Sequence, residues 1–327
     1  MYGKYPIHWL GQNNWIFHHM FLRENIPLAP LSTFQVGGTT RYYTEVSGAL
    51  ELAEAFEYAE KHKLPYFVLG GGSNILFADQ RFEGLIIHMV GGSVNTTGEK
   101  VVASAGVPLA QVVQRAQEAG LAGIEKLAGI PGSFGGAIRG NAGAFGVEIG
   151  TLVLSVKTLD RYSGMVQEHR QEGCNFQYRN SLFKRNPKLV VLSAELQLEP
   201  GDTVALKRVM DETMAIRESK HPQDAKCAGS FFMNPLVKDE QLLKEFEKDT
   251  GNTSKDGKLP AGWLIDHVGL RGKKIGGAQV SPIHPNYLLN TGTATARDIV
   301  MLASLIKTRV RDELHVRLKE EVQFVGF

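Results

Sequence analysis

Residues 229–235 read Gly-Ser-Phe-Phe-Met-Asn-Pro and set one serine among a glycine, two aromatic residues and an Asn-Pro turn. A serine hydroxyl is a weak acid, but a well-positioned Ser230 can give its proton to a strong base such as an enolate. The simpler alternative is that Ser230 only ends a turn before Phe231. Ser230 is therefore the first candidate for chemistry in this chain, as a proton donor.

A glycine-rich stretch at 69–76 reads Leu-Gly-Gly-Gly-Ser-Asn-Ile-Leu and follows an apolar run at 66–69 that predicts a buried strand. Glycines after a strand allow positive φ and let backbone N–H groups approach a phosphate. The pattern is neither GxGxxG nor a P-loop, so it indicates a pyrophosphate loop of another class, with a plain glycine turn as the alternative. The predicted cofactor-binding residues are Leu69, Gly70, Gly71, Gly72, Ser73 and Asn74.

A second stretch of small residues at 129–137 reads Gly-Ile-Pro-Gly-Ser-Phe-Gly-Gly-Ala, and 141–146 reads Asn-Ala-Gly-Ala-Phe-Gly. A turn does not require so many small residues, so we expect extended backbone in contact with a flat ligand. The predicted cofactor-binding residues are Gly129, Ile130, Pro131, Gly132, Ser133, Gly136, Asn141, Ala142 and Gly143.

The length, charge and composition of the whole chain limit the kinds of binding partner that we expect. Its 327 residues suit two or three packed subdomains, and a net charge of +2 with mixed signs favours neither nucleic acid nor a membrane surface. No apolar run of about 18 residues and no secretory signal pattern occurs, so we expect a cytoplasmic protein. Cys174 and Cys227 are isolated and predict reduced thiols. The ten histidines form no ligand pattern, so we expect no metal site.

Hydrophobic periodicity predicts an α+β chain. Residues 1–24 carry aromatic residues without a clean period and are predicted to be an extension, either a docking arm or an expression remnant. Thr295-Ala-Arg-Asp298 predicts a capping box at the start of the last helix. The predicted helices are 50–63, the stretch between Pro108 and Gly120, 203–218, 238–249 and 295–314; the predicted strands are 66–69, 85–89, 101–105, 153–159, 190–197 and 321–325.

Seven motifs in register from about residue 25 onward resemble the UDP-N-acetylenolpyruvoylglucosamine reductase family. Besides the stretches at 69–76, 129–136, 141–146 and 229–235, they are Phe-Gln-Tyr-Arg-Asn-Ser at 176–181, Pro-Ala-Gly-Trp-Leu-Ile-Asp at 260–266 and Glu-Val-Gln-Phe-Val-Gly at 321–326. The short spacing between the Tyr-Arg and Gly-Ser-Phe-Phe motifs resembles the shorter, second type of member.

The resemblance implies a vanillyl-alcohol-oxidase-type FAD-binding fold of two subdomains with a C-terminal α+β substrate domain. It implies non-covalent FAD, NADPH as electron source, and reduction of UDP-N-acetylglucosamine enolpyruvate to UDP-N-acetylmuramate in cell-wall synthesis. We expect a monomer. The expected domains are an extension at 1–24, FAD-binding subdomains at 25–90 and 91–205, and a substrate domain at 206–327.

The resemblance also implies residue roles. Ser230 matches the family's proton donor, while Arg179 and Glu321 match a catalytic pair at the substrate carboxylate and enol. The planar fork of an arginine suits a carboxylate. A surface ion pair is the alternative for Glu321, because Lys319 and Glu320 adjoin it.

Lys220 matches a family lysine directed at the substrate diphosphate, Asn234 matches a polar contact beside it, and Tyr178 is a further candidate for lining the substrate site. Lys220 could instead lie in a solvated loop, Tyr178 could simply pack, and Trp263 is expected in the core or a pocket wall. The chain departs from the family pattern at Met233, where members usually carry Lys, and at Ile138-Arg-Gly140.

Two other functions fit the same motifs. One is an FAD oxidase or dehydrogenase of the same fold that acts on a small alcohol; the other is a non-catalytic protein that binds a nucleotide sugar or flavin. Met233 alone favours the second, whereas the intact set of Arg179, Ser230 and Glu321 argues against it.

Overall fold

The computed structural model describes residues 8–9, 14–17, 20–220, 225–254 and 256–327, with the first two ranges and Lys220 described by backbone alone. The chain groups into two compact units. The first unit contains the described residues up to 26, together with 40–72 and 82–217. The second contains 27–39, 73–81 and the described residues from 218 to 327.

The strands are mostly short. They are β1 (His8–Trp9), β2 (Asn14–Phe17), β3 (Met20–Pro27), β4 (Thr39–Val46), β5 (Tyr66–Leu69), β6 (Ile75–Phe77), β7 (Phe82–Met89), β8 (Val94–Thr97), β9 (Lys100–Ser104), β10 (Leu121–Ala122), β11 (Gly143–Ala144), β12 (Val147–Glu148), β13 (Val153–Asp160), β14 (Val166–Arg170), β15 (Leu189–Gln197), β16 (Glu199–Pro200), β17 (Lys274–Ile275), β18 (Ala278–Val280), β19 (Leu288–Asn290) and β20 (Gln323–Val325).

The helices are α1 (Ala49–Lys61), α2 (Leu109–Glu118), α3 (Phe134–Gly140), α4 (Gln171–Cys174), α5 (Leu182–Arg185), α6 (Thr203–Lys220), α7 (Glu240–Thr250), α8 (Ala261–His267) and α9 (Ala296–Leu314). Within the described ranges, none of them combines the length and apolar character that a membrane crossing needs.

The first unit contains a sheet of order β1-β2-β3-β4-β7-β5, in which β7 lies parallel between β4 and β5. Helix α1 connects β4 to β5, as parallel strands require a crossover. Its apolar face, Leu52, Ala55, Phe56 and Ala59, is buried in the same core as alternate residues of β7. The predicted strand at 66–69 is confirmed and delivers the glycine stretch to the carboxyl ends of the parallel strands.

A second, antiparallel sheet in this unit has the order β14-β13-β15-β9-β8. Helix α2 buries Leu109, Val112, Val113 and Ala116 in the core of this unit. Pro108 precedes the helix and Gly120 follows it with φ +68°, so both predicted boundaries are confirmed.

The second unit has its own core. Helix α9 buries one stripe that includes Ile299, Leu302 and Ile306 in the core that also contains β18 and β19 residues. The predicted capping box is present, because the Thr295 hydroxyl accepts from the N–H of Asp298 and the Asp298 carboxylate accepts from the N–H of Thr295.

Both cysteines are buried free thiols, and burial raises the pKa of Cys174 to about 11.

The two units divide the chain at different residues from the expected domains. Residues 27–39 and 73–81, predicted within the first FAD-binding subdomain, group with the second unit. The reason is that β6 pairs in parallel with β20 and the Asp79 carboxylate accepts the N–H groups of Ala296 and Arg297 at the start of α9. Residues 20–24 of the predicted extension belong to β3, which buries Met20 and Leu22 in the core of the first unit.

Candidate active site

The two glycine-rich stretches lie against each other in the first unit. A Cβ on Gly71 would come within 2.6 Å of the Gly132 Cα and 2.7 Å of the Ser133 nitrogen. A Cβ on Gly70 would meet the Ser133 hydroxyl at 2.4 Å. Only glycines allow this approach, and the result is exposed backbone at the ends of parallel strands, where α/β sheets bind ligands. These residues fit a dinucleotide held by main-chain N–H groups.

The expectation of extended backbone throughout 129–137 is wrong. Gly129 and Gly132 have φ of +75° and +109°, and helix α3 then begins at Phe134. The Ser133 hydroxyl caps this helix by accepting from the N–H of Gly136 at 3.2 Å. The small residues serve packing as well, since a Cβ on Gly135 would come within 2.6 Å of the Ala105 Cβ. The side chain of Ser133 is thus engaged inside the protein.

Asn141 ends helix α3 in the left-handed conformation, with φ +48° and only 1% of its surface exposed. Its amide Nδ2 donates to the Glu148 carboxylate at 2.8 Å and to the Gln177 carbonyl at 2.9 Å, and its Oδ1 accepts from the N–H of Gly150 at 2.9 Å. The predicted flavin contact of Asn141 stays a prediction. The visible role of its side chain is to join α3 to the segment that carries Tyr178 and Arg179.

Arg179 lies in a tight turn closed by two backbone hydrogen bonds between Gln177 and Asn180, of 3.0 and 2.9 Å. Its φ is +54°, which is uncommon for a residue other than glycine. The guanidinium Nη2 donates to the Gly143 carbonyl at 3.0 Å, and the guanidinium Cζ lies 5.1 Å from the centre of the Tyr178 ring. The structure therefore brings Arg179 and Tyr178 together with Gly143, a predicted cofactor-binding residue.

Ser230 begins an extended segment of the second unit that has backbone partners on both edges. On one edge, the N–H of Phe231 donates to the Asn286 carbonyl at 2.7 Å. The Asn286 side chain adds two bonds to the Phe232 peptide, its Oδ1 accepting at 3.0 Å and its Nδ2 donating at 2.8 Å. On the other edge, the N–H of Glu321 donates to the Phe231 carbonyl at 2.8 Å. The main chain thus puts Ser230 and Glu321 on adjacent segments.

Ser230 lines a cavity of about 360 Å³ within the second unit. Asn234, Trp263, His284 and Asn286 line the same cavity, so Trp263 forms part of a pocket wall as expected. The Asn234 Oδ1 accepts from the N–H of Ala261 at 3.0 Å, which ties the Ser230 segment to the start of helix α8.

A charged pair on the cavity wall has no counterpart in the sequence analysis. Arg271 donates from Nε and Nη2 to the two oxygens of Asp266, at 2.7 and 2.6 Å. These bonds lower the pKa of Asp266 and raise that of Arg271, so both groups are charged at neutral pH. A fork-to-fork pair of this kind has a fixed geometry. No sequence motif joins the two residues, although they follow each other closely in the chain.

Some predicted site residues have hydrogen-bond partners within the protein, and the side chain of another lies outside the described residues. The Asn74 amide donates to the Glu321 carbonyl at 3.1 Å, so its side chain forms a hydrogen bond within the second unit. The neighbour of Glu321, Glu320, forms the ion pair expected of a surface acid, with Lys307 at 2.7 Å. The side chain of Lys220 and residues 221–224 lie outside the described residues, so its predicted substrate contact stays a prediction.

Two ranges of the chain match known protein families. Residues 41–169 match the family described as FAD binding domain, and residues 221–325 match the family described as UDP-N-acetylenolpyruvoylglucosamine reductase, C-terminal domain. The protein is thus a flavoprotein with the expected fold class, a vanillyl-alcohol-oxidase-type FAD-binding fold followed by a C-terminal α+β domain.

Curated relatives cover nearly the whole chain. The UDP-N-acetylenolpyruvoylglucosamine reductase of Solibacter usitatus is 35% identical over 308 residues, which are 94% of this chain and 98% of that protein. The enzyme of the same name from a Synechococcus species is 37% identical and covers 94% of both chains. The chain belongs to the UDP-N-acetylenolpyruvoylglucosamine reductase family.

A solved structure agrees with this assignment. The crystal structure of UDP-N-acetylenolpyruvylglucosamine reductase from Thermus caldophilus aligns with a TM-score of 0.74 at 30% sequence identity, and the alignment covers 93% of this chain and 99% of that chain.

Proposed function

We propose that this protein catalyses the reaction of its family, the NADPH-dependent reduction of UDP-N-acetylglucosamine enolpyruvate to UDP-N-acetylmuramate through bound FAD. The observation that supports this most directly is the pairing of the Ser230 segment with the Glu321 segment beside a cavity in the C-terminal domain of a family member. The reaction is a step in peptidoglycan synthesis.

Reduction of the enolpyruvyl double bond adds a hydride to one carbon and a proton to its neighbour. FAD held by the glycine stretches around Gly70–Gly72 and Gly132 would supply the hydride after its reduction by NADPH. The neighbouring carbon then carries enolate character, and we assign its protonation to the Ser230 hydroxyl, which regains a proton from solvent after turnover. The two-sided backbone pairing of 230–232 gives that hydroxyl a defined position, as efficient proton transfer requires.

We assign Arg179 and Glu321 to the carboxylate and enol ends of the substrate. The guanidinium of Arg179 is already oriented by the Gly143 carbonyl and the Tyr178 ring, so little side-chain freedom remains to be lost on binding. Tyr178, Lys220 and Asn234 are proposed to contact the sugar nucleotide.

We assign the FAD pyrophosphate to the backbone of Gly70, Gly71 and Gly72 together with Gly132. Neither glycine loop contains a histidine or cysteine that could form a covalent flavin link. The flavin should therefore leave the protein completely on acid denaturation.

We further propose that the protein works as a monomer in the cytoplasm. Two buried thiols without a disulfide fit a reducing compartment, and NADPH is a reductant of that compartment. Light scattering after gel filtration tests the monomer proposal, and a mass of twice 35.9 kDa would contradict it.

The function is tested by following the flavin absorbance anaerobically. NADPH should bleach the flavin of the purified protein, and one equivalent of the enolpyruvyl sugar nucleotide should restore it, with UDP-N-acetylmuramate identified by mass. Restoration by oxygen or by a small carbonyl compound, but not by the sugar nucleotide, would assign the protein to another FAD-dependent activity.

A further inference from the structure

The peptide that follows Arg179 is held at both of its polar atoms. Its N–H, which is that of Asn180, donates to the Gln177 carbonyl at 2.9 Å and closes the turn. Its carbonyl, which is that of Arg179, accepts from the Nζ of Lys184 at 2.9 Å. Because a peptide unit is planar, these two bonds together fix its orientation. The direction in which the Arg179 side chain leaves the backbone depends on that orientation.

Arg179 occupies a position in the turn that favours glycine. Turns with a positive φ at the third residue usually carry glycine or asparagine there, whereas the third residue of this turn is Arg179, with φ +54°. Such a backbone conformation is strained and persists where neighbouring groups hold it. The ammonium group of Lys184 is a group of this kind, and a hydrogen bond from a charged donor is stronger than one between neutral groups.

Helix α5 sets the position of Lys184. The buried Ser181 hydroxyl accepts from the N–H of Lys184 at 3.3 Å and caps the helix. The same hydroxyl donates to the Arg139 carbonyl at 2.7 Å, near the end of helix α3. Lys184 is therefore anchored on the helix that follows the turn, and its half-buried side chain reaches back to the Arg179 carbonyl.

A further bond anchors the start of the turn. The Gln177 carbonyl accepts from Asn141 Nδ2 at 2.9 Å as well as from the N–H of Asn180. Asn141 thus holds the first residue of the turn, while Lys184 holds the third. Since Lys184 bonds Arg179 itself, its removal should disturb Arg179 more directly than the loss of the Asn141 bond.

We propose that Lys184 is a positioning residue, which holds the backbone of Arg179 so that the guanidinium meets the reacting end of the substrate. The proposal rests on the proposed function, in which Arg179 contacts that end of the enolpyruvyl sugar nucleotide. Lys184 acts through the Arg179 carbonyl and needs no contact of its own with the substrate.

Two substitutions on the same helix separate this role from a general effect of charge. Lys184→Met removes the ammonium group and keeps a long side chain. The matched control is Arg185→Met, because Arg185 Nη2 donates at 3.1 Å to the carbonyl of Asn175, which is also left-handed, with φ +47°. The control therefore removes a positive charge and a bond of the same kind, but no bond to Arg179.

The measurement is the reoxidation of the flavin in a single turnover. Each variant is isolated with its flavin, reduced anaerobically with NADPH, and mixed with the enolpyruvyl sugar nucleotide at several concentrations. Lys184→Met should lower the second-order rate constant of reoxidation roughly tenfold, the effect of displacing a binding group. The rate of its flavin reduction by NADPH, and both rates of Arg185→Met, should stay close to those of the wild type.

A double-mutant cycle shows whether Lys184 acts through Arg179. In an Arg179→Met background, Lys184→Met should have little further effect on reoxidation, because the guanidinium that Lys184 positions is gone. A general loosening of the structure would instead slow reoxidation by the same factor in both backgrounds.

Three results would overturn the proposal. The first is an unchanged reoxidation rate in Lys184→Met. The second is an equal loss in the wild-type and Arg179→Met backgrounds, which would mean that Lys184 acts on the substrate or on the fold. The third is an equal loss in Arg185→Met, which would trace the effect to positive charge alone. Failure of the sugar nucleotide to reoxidise the wild type would instead contradict the proposed function, so the two failures can be told apart.

Discussion

The backbone N–H of Glu321 donates to the carbonyl of Phe231 at 2.8 Å, one residue from Ser230. This bond fixes the spacing of the two candidate catalytic residues through the main chain and needs no contact between their side chains. Asn286 holds the opposite edge of the same segment with its carbonyl and its side-chain amide. The position of the Ser230 hydroxyl therefore depends on residues that do not themselves react.

Asn286→Ala should slow flavin reoxidation by the sugar nucleotide more than it slows flavin reduction by NADPH. The substitution leaves the buried N–H and carbonyl of Phe232 unpaired, which costs about 2–4 kcal/mol of stability and loosens the Ser230 segment. A small displacement of a reacting group can slow its step by roughly ten- to a hundredfold. Chemical unfolding and single-turnover rates of both half-reactions measure the two effects.

The control is Asn290→Ala in the same unit. Asn290 is also buried, and its amide bonds the Phe34 carbonyl and the N–H groups of Gly292 and Ala294. It should lose comparable stability but keep the reoxidation rate of the folded fraction. Equal rate losses in both variants would contradict the positioning role of Asn286.

Gly71→Ala should abolish tight FAD binding. The new methyl group would meet the backbone of Gly132 and Ser133 at under 3.0 Å, and main chain cannot move aside as a flexible side chain can. Overpacking of this kind costs about 1–3 kcal/mol, and separating the two loops removes the cradle. Gly173→Ala, where nothing lies within 4 Å of the new Cβ, is the control. FAD content after purification and unfolding free energy are the readouts; a yellow Gly71→Ala protein of normal stability would contradict the contact.

Because of His88, the free energy of unfolding should decrease as the pH is lowered from neutral. Burial lowers the pKa of His88 in the folded protein below the value of about 6.5 in an unfolded chain, so the unfolded chain binds the proton first as the pH falls. This contribution is fully present above about pH 6.5 and is lost as the pH drops toward the folded pKa. Unfolding free energies of the wild type and His88→Phe between about pH 5 and pH 8 should diverge in slope, and parallel curves would refute the lowered pKa.

Met233→Lys should lower the KM for the sugar nucleotide while changing turnover at saturation little. Met233 is half-buried and its backbone is tied to the Lys319 carbonyl at 3.0 Å, so the substitution changes the side chain without moving the segment. A new exposed charge contact gains at most about 1 kcal/mol, a factor of roughly five. Met233→Leu serves as the neutral control. An unchanged or higher KM would mean that the site is built around methionine.

Local signals allowed much of this fold to be predicted from sequence. Helix α2 between Pro108 and Gly120, the capping box of α9 and the strand before Gly70 each depend on residues near in the chain. Helix α3 is not predicted because its glycines weaken the helical pattern, which leaves the Ser133 cap and the left-handed Asn141 as local signals of its two ends. The contacts of His88 with Tyr43 and of Asn286 with Phe232 join residues far apart in the chain, so no local sequence pattern predicts them.

The central claim, that Ser230 donates the proton to the reduced enolpyruvyl group, is tested by two single-turnover traces on Ser230→Ala. NADPH should bleach the flavin of the variant at a near-normal rate, because that step needs no proton on the sugar nucleotide. Reoxidation by the enolpyruvyl substrate should slow by roughly 10² to 10⁴, the contribution of a positioned acid, and Ser230→Cys should retain more of this rate than Ser230→Ala. Equal slowing of both half-reactions would contradict the assignment and leave Ser230 only a structural role in its segment.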